Sequence, residues 1–372
     1  MEPRLRIDWN GILGPSTLDG VDGGGTPARP NGKEPQLSLE NPARNGNERR
    51  TGPLARAAGW LLRRSLVERV LVRLVALLPA ESLTRERYFG LFERRGFHIT
   101  PVRFDQPIPD TAELDEAIWS RSSALVGVDL RVDRQVELLS EMASEFKQEY
   151  DAFPDDEPGD PVAFFFDQHS FRSCDPEILY CMIRHFQPKR MIEIGSGMST
   201  LVAMAASRKN REHHGRGCRI TAIEPYPRPF LLGDLPELDE LVQERVETVD
   251  MGRFAELEAG DILFIDSSHV VRTGGDVVYE FLEVIPRLNS GVLVHVHDIF
   301  LPAEYPRSWV MDRHWFLSEQ YLLQAFLAFN RRVEVLWAGS CMHLNHPDLL
   351  EKAFRAYDRQ REWPGSFWMR MT

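Results

Sequence analysis

The stretch Met191-Ile192-Glu193-Ile194-Gly195-Ser196-Gly197-Met198-Ser199-Thr200 decides the fold of this chain. An apolar run that carries Glu193 turns through Gly195 and Gly197 and enters a segment that can be helical. Glycine lets the backbone approach a ligand closely, and the N–H groups at the start of a helix face that ligand. The stretch therefore predicts a strand, a tight turn and a helix that form a nucleotide-sized site in an α/β domain. The third glycine of the dinucleotide fingerprint is absent.

Short apolar runs alternate with helical segments on both sides of this turn, which predicts a parallel, doubly wound sheet. The expected strands are Arg190–Ile194, Ile220–Glu224, Arg245–Val249, Asp261–Asp266 and Gly291–His297. The expected helices are Arg131–Tyr150, Asp175–Phe186, Ser199–Ser207, Pro229–Leu232, Gly275–Pro286 and Leu317–Phe329. Near the end, Arg332–Ala338 and Cys341–Leu344 flank a Gly-Ser turn and are expected to form an antiparallel hairpin.

The composition before this domain is different. Residues 1–55 are rich in Gly, Pro, Asn and Arg and predict a disordered tail. Residues 56–160 predict a helical extension, and the loop Asp155–Asp160 separates it from a domain at 161–372. Apolar residues and arginines recur at helical spacing from Leu54 to Leu78. The favoured interpretation is a helix packed on its own domain, and the second is contact with a membrane surface or a partner.

Bulk properties exclude several classes of function. The 372 residues carry a net charge of -12, so a general attraction to nucleic acid is not expected. The four cysteines show no metal-like spacing and are expected to be buried in a reducing compartment. The polar N-terminus does not resemble a signal peptide, and the apolar run from Leu74 to Ala80 is far below the ~20 residues that span a bilayer. A cytoplasmic protein without a transmembrane segment is expected.

Polar residues stand at the ends of several expected strands, where an α/β sheet binds its ligand. Glu224 ends the second strand, 27 residues after Gly197. A carboxylate there can accept hydrogen bonds from both hydroxyls of a ribose. The other interpretation of Glu224 is a helix-capping or surface acid. Glu193 would repel a pyrophosphate but suits a ligand with an ammonium group. The acidic lining therefore favours S-adenosylmethionine, which has no phosphate, over NAD.

Two sets of motifs carry a resemblance to a known family. The run from Glu193 to Thr200 and the later Ile223-Glu224-Pro225 resemble motif I and the following acidic site of class I S-adenosylmethionine-dependent methyltransferases. The segments Ile265-Asp266-Ser267-Ser268-His269 and Gly291–Asp298 resemble the branch with an I-D-x-x-H strand end, which is grouped with macrolide-sugar O-methyltransferases. The resemblance covers residues 165 to 345. It implies a Rossmann-like, seven-stranded sheet with an antiparallel last strand.

The resemblance also implies roles for individual residues. Those expected to line the methionine part of the cofactor are Glu193, Gly195, Ser196 and Gly197. Glu224 is expected to hold the ribose, and Asp250 to lie near the adenine. In metal-dependent relatives, acids at the positions of Asp266 and Asp298 bind Mg²⁺, and a histidine at the position of His269 is the base.

The pair His297-Asp298 departs from the two oxygen ligands of those relatives. Magnesium prefers oxygen, whereas His297 tolerates Mn²⁺, Fe²⁺ or Zn²⁺, so a metal site at Asp266, His297 and Asp298 is left open. The alternative is a structural pair that fixes the loop Ile299–Pro306. His295 is expected to face neighbouring side chains. In the loop Phe300–Trp309, the aromatic residues either contact a sugar or pack the loop onto the next helix.

Together these patterns predict transfer of a methyl group to a hydroxyl on a small molecule or carbohydrate. His269 is the expected general base, because an ordinary histidine titrates near neutral pH, and Asp298 is the second catalytic candidate. Two alternatives stay open. One is an NAD(P)-type enzyme, and the other is a catalytically silent methyltransferase-like module that docks a partner through Leu54–Leu78.

Overall fold

The computed structural model describes residues 65–83 and 85–372. The expected tail at 1–55 and the first part of the Leu54–Leu78 segment lie outside these residues. The described extension contains the helices α1 (Ser65–Ala76), α2 (Ala80–Leu83), α3 (Glu86–Glu93) and α4 (Val132–Tyr150), with a 3₁₀ helix at Glu116–Ser120. The boundary near residue 160 stays a prediction.

Several apolar side chains of helix α1 are exposed to solvent. Val70, Leu71, Val72 and Leu74 are 46–56% exposed. Packing of the Leu54–Leu78 segment on its own domain and contact with a membrane surface or a partner therefore both stay predictions. Across the described ranges, every helix is too short or too polar to cross a bilayer.

Helix α4 behaves differently, because one of its faces is buried. Leu139, Met142, Phe146 and Tyr150 recur three or four residues apart and are buried in the same apolar cluster as helix α5 (Asp175–Phe186). This spacing puts them on one side of the helix. The expected helices over both segments are confirmed.

The centre of the molecule is one seven-stranded sheet in the order β3-β2-β1-β4-β5-β7-β6. Its strands are β1 (Arg190–Ile194), β2 (Arg219–Ile223), β3 (Glu240–Val242), β4 (Ile262–Ile265), β5 (Leu293–Val296), β6 (Val333–Ala338) and β7 (Phe367–Met371). The first five pair in parallel, and β7 is antiparallel to both β5 and β6. The predicted α/β, Rossmann-like sheet with an antiparallel last strand is confirmed.

Helices and turns connect these strands. They are α6 (Met198–His214), a 3₁₀ helix at Pro229–Leu232, α7 (Gly252–Ala255), α8 (Asp276–Tyr279), α9 (Arg307–Met311), α10 (Glu319–Leu327), α11 (Gly339–Asn345) and α12 (Pro347–Ala353). Helix α8 continues as a π-helical turn at Glu280–Val284 and a 3₁₀ turn at Ile285–Arg287. The helix expected at Pro229–Leu232 is thus a 3₁₀ turn.

Two strand predictions are wrong. Arg245–Val249 contains a 3₁₀ turn at Val246–Thr248, and the third strand is the earlier β3. Val246 and Val249 are both buried and lie three residues apart, which is the period of a 3₁₀ turn. Cys341–Leu344 belongs to helix α11, and β6 pairs instead with β7. The expected local hairpin is replaced by a distant pairing.

Alternate residues of the central strands point into two apolar clusters. On β4, Ile262 and Phe264 belong to one cluster, whereas Leu263 and Ile265 belong to the other. The sheet is therefore buried on both faces, as expected for a mainly parallel sheet. Its carboxyl edge is the natural place for polar chemistry.

Candidate functional site

Gly195 lies where the turn after β1 is pressed against the end of β4. Its φ is +78°, and a Cβ atom built there would lie 1.8 Å from the carbonyl oxygen of Asp266. The amide of Asp266 donates to the carbonyl of Ile194 at 2.9 Å, which holds the two segments together. Only glycine fits this position, for both reasons.

Gly197 has a different environment. A Cβ atom built on it would meet nothing within 4 Å, so the backbone here faces open space. Helix α6 starts immediately afterwards and runs for 17 residues. An open backbone at the start of a long helix can receive a ligand that approaches the main chain closely.

Glu193 lies beneath this turn and is completely buried. Its two carboxylate oxygens accept hydrogen bonds from Ser199 Oγ at 2.6 Å and Thr200 Oγ1 at 2.7 Å. Burial raises the pKa of Glu193 to about 7, and these two hydroxyls partly oppose the shift. Glu193 thus ties β1 to the first turn of α6, and its expected contact with a methionine part stays a prediction.

Glu224 follows β2 and is brought beside the turn. Its Oε2 atom accepts from the amide of Ser196 at 3.2 Å, and its Oε1 atom accepts from the amide of Tyr226 at 2.7 Å. Residues 28 positions apart in sequence therefore meet at the sheet edge. Asp250 is exposed and accepts from the amide of Gly252 at 3.0 Å, so its place near an adenine stays a prediction.

A second cluster forms around His269 at the same edge. His269 Nε2 lies 3.2 Å from Asp266 Oδ1 and 3.5 Å from Asp298 Oδ2. His269 Nδ1 lies 2.8 Å from Glu319 Oε2. The cluster joins the ends of β4 and β5 to the start of α10, and Glu319 is a member that the sequence analysis missed.

The backbone of this cluster is unusual. His269 has a φ of +59° and Asp298 a φ of +55°, in the left-handed region that residues with side chains rarely adopt. Such residues persist only where their surroundings hold them, and they concentrate at functional sites. Five other residues with side chains share this conformation within the described ranges, namely Leu125, Arg131, Gln187, His314 and Phe329. The backbone therefore supports a functional site here only together with the chemistry of the cluster.

Electrostatics couple the members of the cluster. Burial alone would lower the pKa of His269, but Asp266, Asp298 and Glu319 raise it well above its usual value. Burial alone would raise the pKa of Asp266, but His297 and His269 together hold it below its usual value. The carboxylates around the ring therefore favour the protonated form of His269.

His297 and His295 occupy the interior behind this cluster. His297 is buried, with Nε2 3.7 Å from Asp298 Oδ1 and its ring 5.3 Å from that of Phe171. His295 stacks on Phe264 at 3.9 Å between ring centroids, and its Nε2 lies 3.0 Å from Ser366 Oγ. The prediction that His295 faces neighbouring side chains is confirmed.

The expected metal ligands do not assemble as a metal site. Within the part of the chain that the structure describes, no three His, Cys, Asp or Glu side chains are grouped so as to hold an ion. The ring of His269 lies beside both Asp266 and Asp298. In this arrangement the ring stands where a cation would bind, and the metal set of Asp266, His297 and Asp298 stays a prediction.

The loop after β5 is held by packing rather than left open. Tyr305 is buried, and its hydroxyl accepts from the amide of Gln320 at 3.0 Å. Trp309 packs edge-on against Phe300 at 5.1 Å. The interpretation that the loop packs onto the next helix is confirmed for Tyr305, whereas Trp309 packs within the loop itself.

Arg307, in the same loop, faces the N-terminal extension instead. It pairs with both carboxylate oxygens of Glu116, at 2.9 and 2.7 Å, and lies over the ring of Trp119. The amide of Ser123 also donates to the carbonyl of Pro302 at 2.7 Å. The extension thus contacts the loop that borders Asp298.

Comparisons with known proteins agree with this geometry. Residues 192–299 match the model of a family described as a methyltransferase domain. An uncharacterized protein of Archaeoglobus fulgidus is 27% identical over 194 residues, which cover 50% of this chain and 82% of that protein.

Several solved structures also match the chain, and two of them show the degree of similarity. A putative O-methyltransferase from Klebsiella pneumoniae has a TM-score of 0.33 at 14% identity, over 67% of this chain and 93% of its own. An O-methyltransferase from Bacillus cereus, solved with S-adenosylhomocysteine (SAH), has a TM-score of 0.33 at 13% identity, over 63% and 91%.

Strands β2 to β5, the glycine turn after β1 and the acid after β2 all lie within the matched range, whereas β6 and β7 lie beyond it. Residues 192–299 are therefore similar to a family described as a methyltransferase domain, and the chain has a Rossmann-like, seven-stranded α/β sheet.

Proposed function

We propose that this protein transfers a methyl group from S-adenosylmethionine to a hydroxyl of a small molecule or carbohydrate, with His269 as general base. The observation that carries the proposal is the position of Asp266 between the two clusters. Its carbonyl oxygen lies so close to Gly195 that a side chain at that position would clash with it. Its own side chain lies 3.2 Å from His269 Nε2. A donor site and a base therefore share one wall.

The donor half has residues that suit the cofactor. S-adenosylmethionine supplies a methyl group on a positively charged sulfur. The open backbone at Gly197 leaves room for its close approach, and the Glu224 carboxylate can accept the hydroxyls of a ribose. The acidic side chains at this edge match the cation and would repel a pyrophosphate.

The acceptor half has a group that can move a proton. His269 Nε2 faces the carboxylates at the sheet edge, while its other nitrogen is turned toward Glu319. A hydroxyl that attacks the methyl group must lose its proton, and a positioned histidine contributes about 10²- to 10⁴-fold to such a step. A cationic ligand beside the ring lowers its pKa and so favours the neutral, proton-accepting form.

Calorimetry with S-adenosylmethionine and SAH tests the donor half. We expect both to bind, and Glu224→Gln to weaken SAH binding about 10-fold or more because it removes a charge-assisted hydrogen bond. Glu256→Gln, an exposed acid after α7, is the matched control and should leave binding unchanged.

Two results would overturn this proposal. Absence of binding by either compound would exclude a methyl-donor site, and tight binding of NAD would favour the oxidoreductase alternative.

Turnover with any hydroxyl acceptor would exclude the silent module. Full activity after treatment with a chelator would exclude Asp266 and Asp298 as metal ligands.

A further inference from the structure

Glu319 holds His269 from the side opposite the expected cleft. It is the first residue of helix α10, lies 50 residues after His269, and its side chain is completely buried. Its Oε2 atom is 2.8 Å from His269 Nδ1. Two buried ionisable groups at this distance form a strong hydrogen bond, although they lie far apart in sequence.

The start of helix α10 also holds the backbone of His269. The amides of Ser318 and Glu319 donate to the carbonyl of His269 at 2.9 and 3.2 Å. Ser318 Oγ accepts from the amide of Val271 at 2.8 Å. The helix end thus contacts the ring and the main chain of a residue in the left-handed conformation, which needs such support.

We propose that Glu319 is the positioning residue of His269. Its carboxylate accepts a hydrogen bond from the protonated Nδ1 and thereby turns Nε2 toward Asp266 and Asp298. A neutral imidazole has one donor nitrogen and one acceptor nitrogen, and the partner of the first decides which is the second. The inference rests on the proposed function, because Nε2 matters for catalysis only if His269 is the base.

A second buried acid provides a matched control. Glu280 is also completely buried, and it lies in the π-helical turn after α8. It accepts from Ser267 Oγ at 3.0 Å. Among the described residues, its Oε1 atom has no hydrogen-bond partner, and neither does Oε1 of Glu319.

The two acids differ in the partner that each one has. Burial, and then the charge of Glu319, raise the pKa of Glu280 well above its usual value. Glu319 is paired with the imidazole, whereas Glu280 has only a neutral hydroxyl. Burial raises the pKa of Glu319 as well, although its pairing with His269 opposes that shift. Glu280→Gln removes no contact to His269 and is therefore the matched control.

Proton NMR of protein with ¹⁵N-labelled histidine tests the inference without an acceptor substrate. In the native protein we expect a far-downfield Nδ1–H resonance, assigned by its loss in His269→Asn. It should move upfield in Glu319→Gln and disappear in Glu319→Ala, but persist in Glu280→Gln. SAH should bind all these variants within about twofold of the native affinity, and thermal melts establish that each is folded.

The failure of each proposal has its own signature. An unchanged Nδ1–H resonance in a folded Glu319→Gln protein would overturn the positioning role, whatever the enzyme does. If Glu319→Ala does not fold, the Gln variant still decides. A native protein that binds no SAH but shows the resonance would overturn the methyltransferase proposal alone. Where turnover is measurable, Glu319→Gln should lower kcat about 10²-fold or more, with little change in KM for the donor.

Discussion

The donor half and the acceptor half of the site are built in different ways. The turn from Glu193 to Thr200 is contiguous, and the one left-handed residue in it is a glycine, Gly195. The acceptor half takes His269, Asp298 and Glu319 from three separate segments, and two of these residues are left-handed without being glycine. A local turn needs only the right residues in order, whereas the second cluster needs tertiary packing to hold conformations that cost about 1–3 kcal/mol each.

The largest expected effect comes from breaking the acceptor half at its centre. His269→Asn should lower the rate of SAH formation about 10²- to 10⁴-fold, because no group remains to take the proton of the acceptor. The measurement is turnover of S-adenosylmethionine with a panel of sugar and phenolic acceptors.

The same variant sharpens the comparison between the halves. Affinity for SAH should be retained, since the donor half lies on the other side of Asp266. If His269→Asn loses SAH binding together with turnover, the two halves are one structural unit.

A substitution at Gly195, in the donor half, should destabilise the folded protein. Gly195→Ala places a methyl group against the carbonyl of Asp266 and forces alanine into a φ of +78°. We expect a loss of about 4 kcal/mol in the free energy of unfolding, from the sum of strain and overpacking. Denaturant unfolding measures it.

Two glycines serve as controls for this prediction. Gly215 ends α6 with a φ of +74°, and a methyl group at this position would meet nothing within 4 Å, so Gly215→Ala reports backbone strain alone. Gly197→Ala should fold normally but weaken SAH binding, because the methyl enters the open space. Equal stability losses in Gly195→Ala and Gly215→Ala would argue against the close approach to β4.

A smaller effect is expected from the buried acid beneath the turn. The folded-state pKa of Glu193 is raised to about 7 from an unfolded value near 4.5, so the folded protein keeps this proton while the unfolded chain loses it. Stability contributed by this residue therefore falls as pH rises from about 4.5 to 7 and is level above that. The size of the fall is on the order of 3 kcal/mol.

Glu193→Gln removes this titration. The amide oxygen can still accept a hydrogen bond from Ser199 or Thr200, so the variant should gain stability relative to the native protein between pH 4.5 and 7. Thermal melts across this range measure the difference. Parallel pH profiles for the two proteins would mean that Glu193 ionises normally.

Much of the fold could be predicted because the core strands report their own burial. The run Met191–Ile194 is apolar except for Glu193, and the predicted limits of β1 match the structure. The prediction at Arg245–Val249 failed because valine favours strands, although the three-residue spacing of Val246 and Val249 fits a 3₁₀ turn. Strand β7 was missed because Phe367–Met371 pairs with β5 and β6, far from either in sequence.

The sequence by itself determined the parallel sheet, the glycine turn and the acids that follow the strands, because these depend on local backbone freedom and on the alternation of apolar runs. Only the tertiary structure decided that Glu193 is engaged by Ser199 and Thr200 and that His269 lies between carboxylates with Glu319 behind it. An acid in the first turn of a helix is usual on any exposed helix. What makes Glu319 different is its burial against His269, which arises where α10 packs beside the ends of β4 and β5.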